Sequence, residues 1–249
     1  MGTKVPDNAP SKVDEILTVL RTEILSGQYR AGERMPSERD LATRFSSNRG
    51  AIREVIKKLE QLGIIEVNPG GVRVVPIEKA TLDVLRYLLE LGAIDQQLLI
   101  GQLLDVLGSM LSLSVRSALI VASRKECNEI AESIEGMISS IDRNDEELHR
   151  ESFNLLTDKL IAINQNLVLR LIGNGIRTQF IAHIRRENFN PNIDVSRIKV
   201  GLKNFQNNVR SGDPDGAAAA IGQHFTLLKE AILNTPSESK QTVQKTDHT

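Results

Sequence analysis

Gly32-Glu-Arg-Met-Pro-Ser-Glu-Arg-Asp-Leu41 and, a few residues on, Asn48-Arg-Gly-Ala-Ile-Arg-Glu-Val-Ile-Lys-Lys-Leu-Glu-Gln-Leu-Gly63 decide how this chain folds. Ser37 stands where an N-cap belongs, ahead of a short helix from Glu38 to Phe45 that turns Leu41, Ala42 and Phe45 inward. Ser46-Ser47-Asn48 breaks that helix and caps a longer one, Arg49 to Leu62. Its apolar residues Ile52, Val55, Ile56, Leu59 and Leu62 recur at helical spacing. Gly63 ends it. Upstream, Val13, Ile16, Leu17, Leu20, Ile24 and Leu25 make one helix face over 11–26, with Ser11 as N-cap and Gly27 as the stop. Tyr29 to Pro36 reads as a turn and a short extended piece. Downstream, Ile64 to Val67 and Val72 to Val75 flank Asn68-Pro69-Gly70-Gly71, the pattern of a hairpin with a tight turn. Three helices and a two-stranded wing predict a winged helix-turn-helix over residues 11–77, preceded by a flexible N-terminus at 1–10.

The charge is concentrated where that fold would use it. The whole chain of 249 residues has a net charge of −1, with 31 Lys+Arg against 32 Asp+Glu. Residues 34–58 alone carry Arg34, Arg39, Arg44, Arg49, Arg53, Lys57 and Lys58 against Glu38, Asp40 and Glu54. A run of charge by itself describes only a solvated helix face. A helix that enters the major groove needs groups on its outer face that reach phosphates and base edges. Because the inner face of 49–62 is committed to core, Arg49 and Arg53 must point outward. Gly50 and Ala51 keep that end slim. Arg39 lies where it can meet the backbone, and the Gly70-Gly71 wing tip with Arg73 can reach a minor groove or a phosphate.

From about Lys79 the composition changes. The residues beyond it hold 18 Lys+Arg and 21 Asp+Glu and read almost wholly helical. Leu82, Leu85, Leu88 and Leu89 form a stripe. Leu98 to Val121 is apolar on more than one face, as a central helix wrapped by others would be. Further helices are expected near 124–141, 144–163, 166–188, 195–211 and 214–233, with breaks at Pro191 and Gly212-Asp213-Pro214. The fold class is thus mainly α: an N-terminal winged helix-turn-helix with a small β-wing, then an all-α bundle of six to seven helices over 78–233. The polar stretch 234–249 is expected to be a disordered tail.

The run Gly32 to Leu41, then Asn48-Arg-Gly-Ala-Ile-Arg-Glu-Val55 and Leu59-Glu-Gln-Leu-Gly63 resembles the DNA-binding domain of GntR-type transcriptional regulators. The resemblance implies that Arg39 contacts phosphate or base, that Arg49 and Arg53 read guanines or the backbone, and that Gly70 enters the minor groove. With Ser47, Asn48, Gly50, Gly71 and Arg73, these make the candidate DNA-contacting set. The wing departs from the family's usual Gly-x-Gly-Thr-Phe-Val: here it reads Pro69-Gly-Gly-Val-Arg-Val74, which bears on base preference at the operator centre.

The second half resembles the FadR-type effector domain, through Thr81 to Leu91, Asn166-Leu-Val-Leu-Arg170, Ser211 to Ala217 and Gln223-His224. The resemblance implies a pocket, here assigned to Leu103, Leu107, Asn154, Arg177 and His224. Many relatives hold a divalent metal there with an Asp and three His. In this chain only His224 matches: 152–158 reads Ser-Phe-Asn-Leu-Leu-Thr-Asp, a second histidine position falls near Leu202, and His149 and His183 are displaced from the expected places. No metal and no cofactor are therefore expected. Leu107 stands where relatives carry an arginine for an acidic effector, so a fatty acid or acyl-CoA is the expected ligand. A small organic acid, or an inert pocket, is the alternative.

Other classes find little support. Cys127 is the only cysteine, which excludes a disulfide framework and a Cys-based zinc site. His149, His183, His224 and His248 lie in no Ser-His-Asp context, and no Gly-x-Ser-x-Gly elbow is present, so no enzyme is expected. Gly173-Asn-Gly175 lies in a helical stretch without a preceding strand, against a dinucleotide loop. No uninterrupted apolar run reaches the roughly 18 residues of a span, and the N-terminus lacks a signal-peptide core. The expectation is a cytoplasmic, ligand-responsive regulator without a membrane partner. It would bind double-stranded DNA at an inverted-repeat operator as a homodimer, because one reading head covers half of a two-fold site. The remaining alternative is an interaction module whose helical half only dimerises.

Overall fold

The computed structural model describes residues 11–92, 95–184 and 194–235, with side chains of the helix ending at Ile184 described as far as Ile176. The expected flexible terminus at 1–10, most of the tail from 236 onward, and Pro191 lie outside the described residues. The chain divides into two compact units, one over residues 1–96 and 173–188, the other over 97–172 and 189–249.

In the first unit, α1 (Lys12–Leu25), α2 (Glu38–Arg44) and α3 (Arg49–Gln61) precede a hairpin of β1 (Ile65–Asn68) and β2 (Gly71–Val74). Each helix starts on a side-chain cap. Ser11, Ser37 and Asn48 accept the backbone N–H groups of Asp14, Asp40 and Ala51, satisfying donors that a helix start leaves open. Ile16 and Leu20 of α1, Leu41 of α2 and Ile52, Val55 and Leu59 of α3 are almost completely buried, and α1 packs against α3. Burying each such side chain contributes about 1.5–3 kcal/mol, which makes this small core the main stabiliser of the reading head. Leu62 is only half-buried because it is the C-cap of α3 rather than part of its inner face.

The hairpin ladder is displaced by one pair toward its tip relative to the expected strands. Asn68 pairs with Gly71 in the antiparallel ladder, so the turn is Pro69-Gly70 alone. Gly71 carries φ +110°, a backbone region that disfavours any side chain. Ile64 stays outside the strand because its N–H closes the end of α3 on Leu59. A third extended segment backs β2: Gly32 N–H donates to Val74, Met35 N–H to Val72, and Val74 N–H to Glu33. Beyond the wing, α4 (Leu85–Leu91) also lies in the first unit, packed on α1 with the Arg21 guanidinium 3.6 Å above the Tyr87 ring. Leu82 precedes α4 in a 3-10 turn and is exposed, so the expected stripe reduces to Leu88 and Leu89, with Val84 and Tyr87.

The second unit is all helical: α5 (Gln96–Val121), α6 (Arg124–Arg143), α7 (Glu146–Asn164), the opening turns of α8 (Leu167–Ile184), α9 (Val195–Ser211) and α10 (Pro214–Leu233). Ser123 and Glu126 form a reciprocal capping box at α6. Asp213 caps α10, with Pro214 at its first position. Among the described residues α5 alone is long and apolar enough to cross a membrane, a property that its short uninterrupted apolar runs do not signal. Here α5 sends Leu99, Leu103, Leu111, Val115 and Leu119 into the unit.

Where α5 meets α10, the crossing is close. A Cβ on Gly108 would stand 2.8 Å from Phe225 Cβ, whereas one on Gly101 would meet Leu233 and Lys229 at an ordinary 3.6 Å. Gly108→Val is therefore expected to destabilise the unit by about 1–3 kcal/mol through overpacking. Gly101→Ala, free of that clash, is expected to stabilise by up to about 1 kcal/mol through helix propensity. Urea unfolding of the two variants checks both signs.

Candidate nucleic-acid interface

The start of α3 is built by its cap. Asn48 Oδ1 accepts the Ala51 N–H at 2.8 Å, and a Cβ on Gly50 would lie 3.1 Å from that oxygen. The glycine thus makes room for the cap as well as slimming the helix end. Past it, Arg49 and Arg53 are both exposed, opposite the buried Ile52, Val55, Ile56 and Leu59. Arg53 Nε donates to Glu38 Oε2 on α2 at 2.8 Å, so this guanidinium is already oriented in the free protein. Arg49 and Arg39 are exposed, with no carboxylate within 4.0 Å among the described residues. Ser47 is half-buried.

The basic stretch splits into two groups. Arg44 is bound to Glu23 and Tyr29 and stacks at 4.8 Å on Phe45, while Lys58 joins Glu54 and Asp14. These two hold the head together. Arg39, Arg49 and Lys57 remain as exposed cations, with Arg53 beside them on α3. On the wing, Gly70 is open on all sides and exposed. Arg73 Nη1 donates to the Gly32 carbonyl at 2.8 Å, so it braces the extended segment behind the hairpin. Arg34, absent from the candidate set, pairs with Arg73 across that segment and lays its guanidinium against Gly71.

In the second unit, α6, α7, α9 and α10 border an open cleft of about 290 Å³ lined by Ser140, Asn144, Asp145, His149, Ile198 and His224 among others. Ser140 Oγ lies 2.6 Å from the Met137 carbonyl, to which it donates, and hydrogen-bonds with His149 Nδ1 at 2.9 Å. His224 is 4% exposed, and its Nδ1 has no hydrogen-bond partner among the described residues. Burial, with His149 adding to it, pushes its pKa down to about 4; burial also lowers that of His149. Both imidazoles are neutral at pH 7.

The family model for bacterial regulatory proteins of the gntR family matches residues 12–75, the span of α1 to the wing. Residues 12–75 are a GntR-type regulatory domain. The HTH-type transcriptional regulator Mce2R of Mycobacterium tuberculosis is 27% identical over 232 residues, covering 92% of this chain and 94% of the relative. An uncharacterized HTH-type regulator from M. tuberculosis strain H37Rv is 43% identical over 65 residues, 26% of this chain and 27% of that one. Among solved structures, Lar, described as controlling the expression of the Listeria monocytogenes agr system, covers 92% of this chain and is itself covered over 100% of its length, at 15% identity with a TM-score of 0.50, a likeness of fold.

A divalent metal of the kind the resemblance implies needs several ligand side chains converging on one ion. Two imidazoles line the cavity, but Ser152 and Leu202 are buried non-ligands, Asn154 is half-buried, and no group of three His, Cys, Asp or Glu among the described residues is placed to hold an ion. The residues do not fit a metal. Of the five pocket residues expected from sequence, only His224 lines this cavity. Leu103 is buried on α5, Leu107 and Asn154 are half-buried elsewhere, and the side chain of Arg177 lies outside the described residues, as do those of His183 and His248. His149, on α7, lines the same cleft as His224, on α10.

Proposed function

We propose that this regulator, of the FadR type, binds an inverted-repeat operator as a homodimer and that a small molecule in the helical unit controls that binding. Arg49 and Arg53 would read base edges or phosphates in the major groove, with Arg39, Ser47, Asn48 and Gly50 around the entry of α3. Gly70, Gly71 and Arg73 would approach the adjacent minor groove. The observation that carries this is the division of α3, with Ile52, Val55, Ile56 and Leu59 buried and both arginines turned to solvent. A ligand that binds one arrangement of the helical unit better than another shifts the population of DNA-competent dimers.

The effector is a fatty acid or acyl-CoA, with a small organic acid as the alternative: a cavity of about 650 Å³ along α9 and α10, with Val200, Ala219, Ala220 and Leu227 among its lining, is of a size for an acyl chain, while the cleft of about 290 Å³ beside His149 and His224 suits only a smaller molecule. Selection of duplexes from a random pool, followed by gel shifts, tests the operator reading. A two-fold symmetric site bound by two protomers with a steep salt dependence is expected; equal binding to scrambled duplex would refute it. Oleoyl-CoA is expected to change operator binding in the gel shift, and native mass spectrometry to find a co-purified acyl species; an unchanged shift with a smaller co-purified acid would favour the alternative.

A further inference from the structure

The wing sets two arginines directly opposite one another. Val74 N–H donates to the Glu33 carbonyl and Met35 N–H to the Val72 carbonyl, so Arg34 and Arg73 are the antiparallel pair between those two bonds, with both side chains on one face. Like charges placed in this way repel and weaken the pairing. The protein supplies no anion to relieve them. Among the described residues no carboxylate comes within 4.0 Å of Arg34, and Glu66, which faces Arg73 from β1, forms no ion pair with it. Glu33 is turned instead to the Arg30 N–H at 2.8 Å.

The two guanidinium groups part in opposite directions. Arg73 Nη1 donates to the Gly32 carbonyl at 2.8 Å, at the base of the hairpin where Gly32 N–H meets Val74. Arg34 runs toward the tip: a Cβ on Gly71 would stand 2.8 Å from its Nε and 3.1 Å from its Nη2. Gly71 closes the ladder beside the Pro69-Gly70 turn, so the exposed Arg34 guanidinium lies against the backbone of the tip, where any side chain at 71 would displace it. The turn itself brings no cation.

We propose that Arg34 is the wing's minor-groove contact, its guanidinium entering the groove beside Gly70, and that Arg73 is the brace holding residues 32–35 on β2 so as to present it. The proposal rests on the operator reading above and moves the wing's contact to a residue outside the hairpin. A narrow minor groove concentrates negative potential, which relieves the repulsion between the two arginines, and a planar, weakly hydrated guanidinium enters it more readily than an ammonium.

Fluorescence-anisotropy titration of the full chain on its selected operator, over a salt series, tests this. Arg34→Ala is expected to weaken binding about 5- to 30-fold and to lower the slope of log affinity against log salt by about one for each bound protomer, with the unfolding curve unchanged. Operators with G·C or inosine·C pairs under the wing differ only by the 2-amino group in the minor groove. The wild type is expected to bind the inosine form several-fold more tightly, whereas Arg34→Lys keeps the salt slope and loses that preference. An Arg34→Ala protein that retains affinity, slope and inosine preference overturns the proposal, as does one whose loss comes with a lowered unfolding midpoint at unchanged slope. If Arg49→Ala still loses the operator in those cases, the α3 reading stands without Arg34. If the Arg49→Ala, Arg53→Ala protein also binds like the wild type, the operator reading itself falls.

Discussion

Arg49→Ala is expected to weaken operator binding by about 5- to 150-fold, the range of about 1–3 kcal/mol for a well-placed arginine contact. The double variant Arg49→Ala with Arg53→Ala is expected to lose about 30-fold or more. Both side chains are exposed, and the only partner either one has among the described residues is Glu38, on Arg53. An exposed pair of that kind is worth about 0–1 kcal/mol, so chain stability should change little. Unfolding curves that superimpose on the wild type, beside a large loss in a fluorescence-anisotropy titration, are the expected pair of results. If Arg49 meets phosphate, the slope of log affinity against log salt falls by about one. If it reads a base, the slope is kept and discrimination at one position relaxes. Glu38→Gln separates the second arginine: freeing Arg53 should raise affinity modestly, since an acidic neighbour no longer competes with DNA for it. Unchanged affinity in the double variant would remove α3 from the interface.

The reading head was legible because its determinants are local. Ser11, Ser37 and Asn48 each cap a helix through a residue three positions on, and the inner faces of α1 and α3 repeat at helical spacing. The same holds for α10, whose Asp213-Pro214 start is a cap and a preset backbone in two residues. Features set by distant pairing were not legible. Arg34 reaches the wing only because residues 32–35 add themselves to β2 about forty positions later in the chain, a register that no local pattern announces. The ion pair of Arg53 with Glu38 joins two helices at an angle set by their packing. That His149 and His224 share one cleft likewise depends on how α7 and α10 pack, which their spacing along the chain does not announce. On α5, composition indicated a wrapped helix but could not distinguish the buried Leu103 and Leu111 from the exposed Val106 and Leu113.

Acid should weaken the helical unit through His224. An unfolded histidine titrates near 6.5, whereas in the fold this ring holds its proton only below about 4, because burial penalises the cation and His149 opposes it further. Between those values the unfolded chain binds the proton and the folded chain does not, so stability is lost as pH falls through 6.5 toward 4. Above 6.5 and below 4 this group contributes no slope. At about 1.4 kcal/mol for each pKa unit the full loss is on the order of 3 kcal/mol, and His149 acts in the same direction. Asp145 and Glu146 on the cavity wall are the acidic groups near the rings; a charge favouring an imidazolium there would reduce the loss. Carboxylates held low by capping hydroxyls, such as Asp40 beside Ser37 and Glu126 beside Ser123, lose their contribution at more acidic pH, so the two effects separate. Urea unfolding monitored on the full chain at pH 7 and pH 5 should show the decline in the wild type and a smaller one in His224→Phe, which keeps the ring volume without the titration. A compact ligand that donates a hydrogen bond to an imidazole of the cavity should shift the wild-type decline to lower pH, since it binds the neutral form. A His224 ring signal that titrates near 6.5 by nuclear magnetic resonance would contradict the buried, neutral state on which this depends.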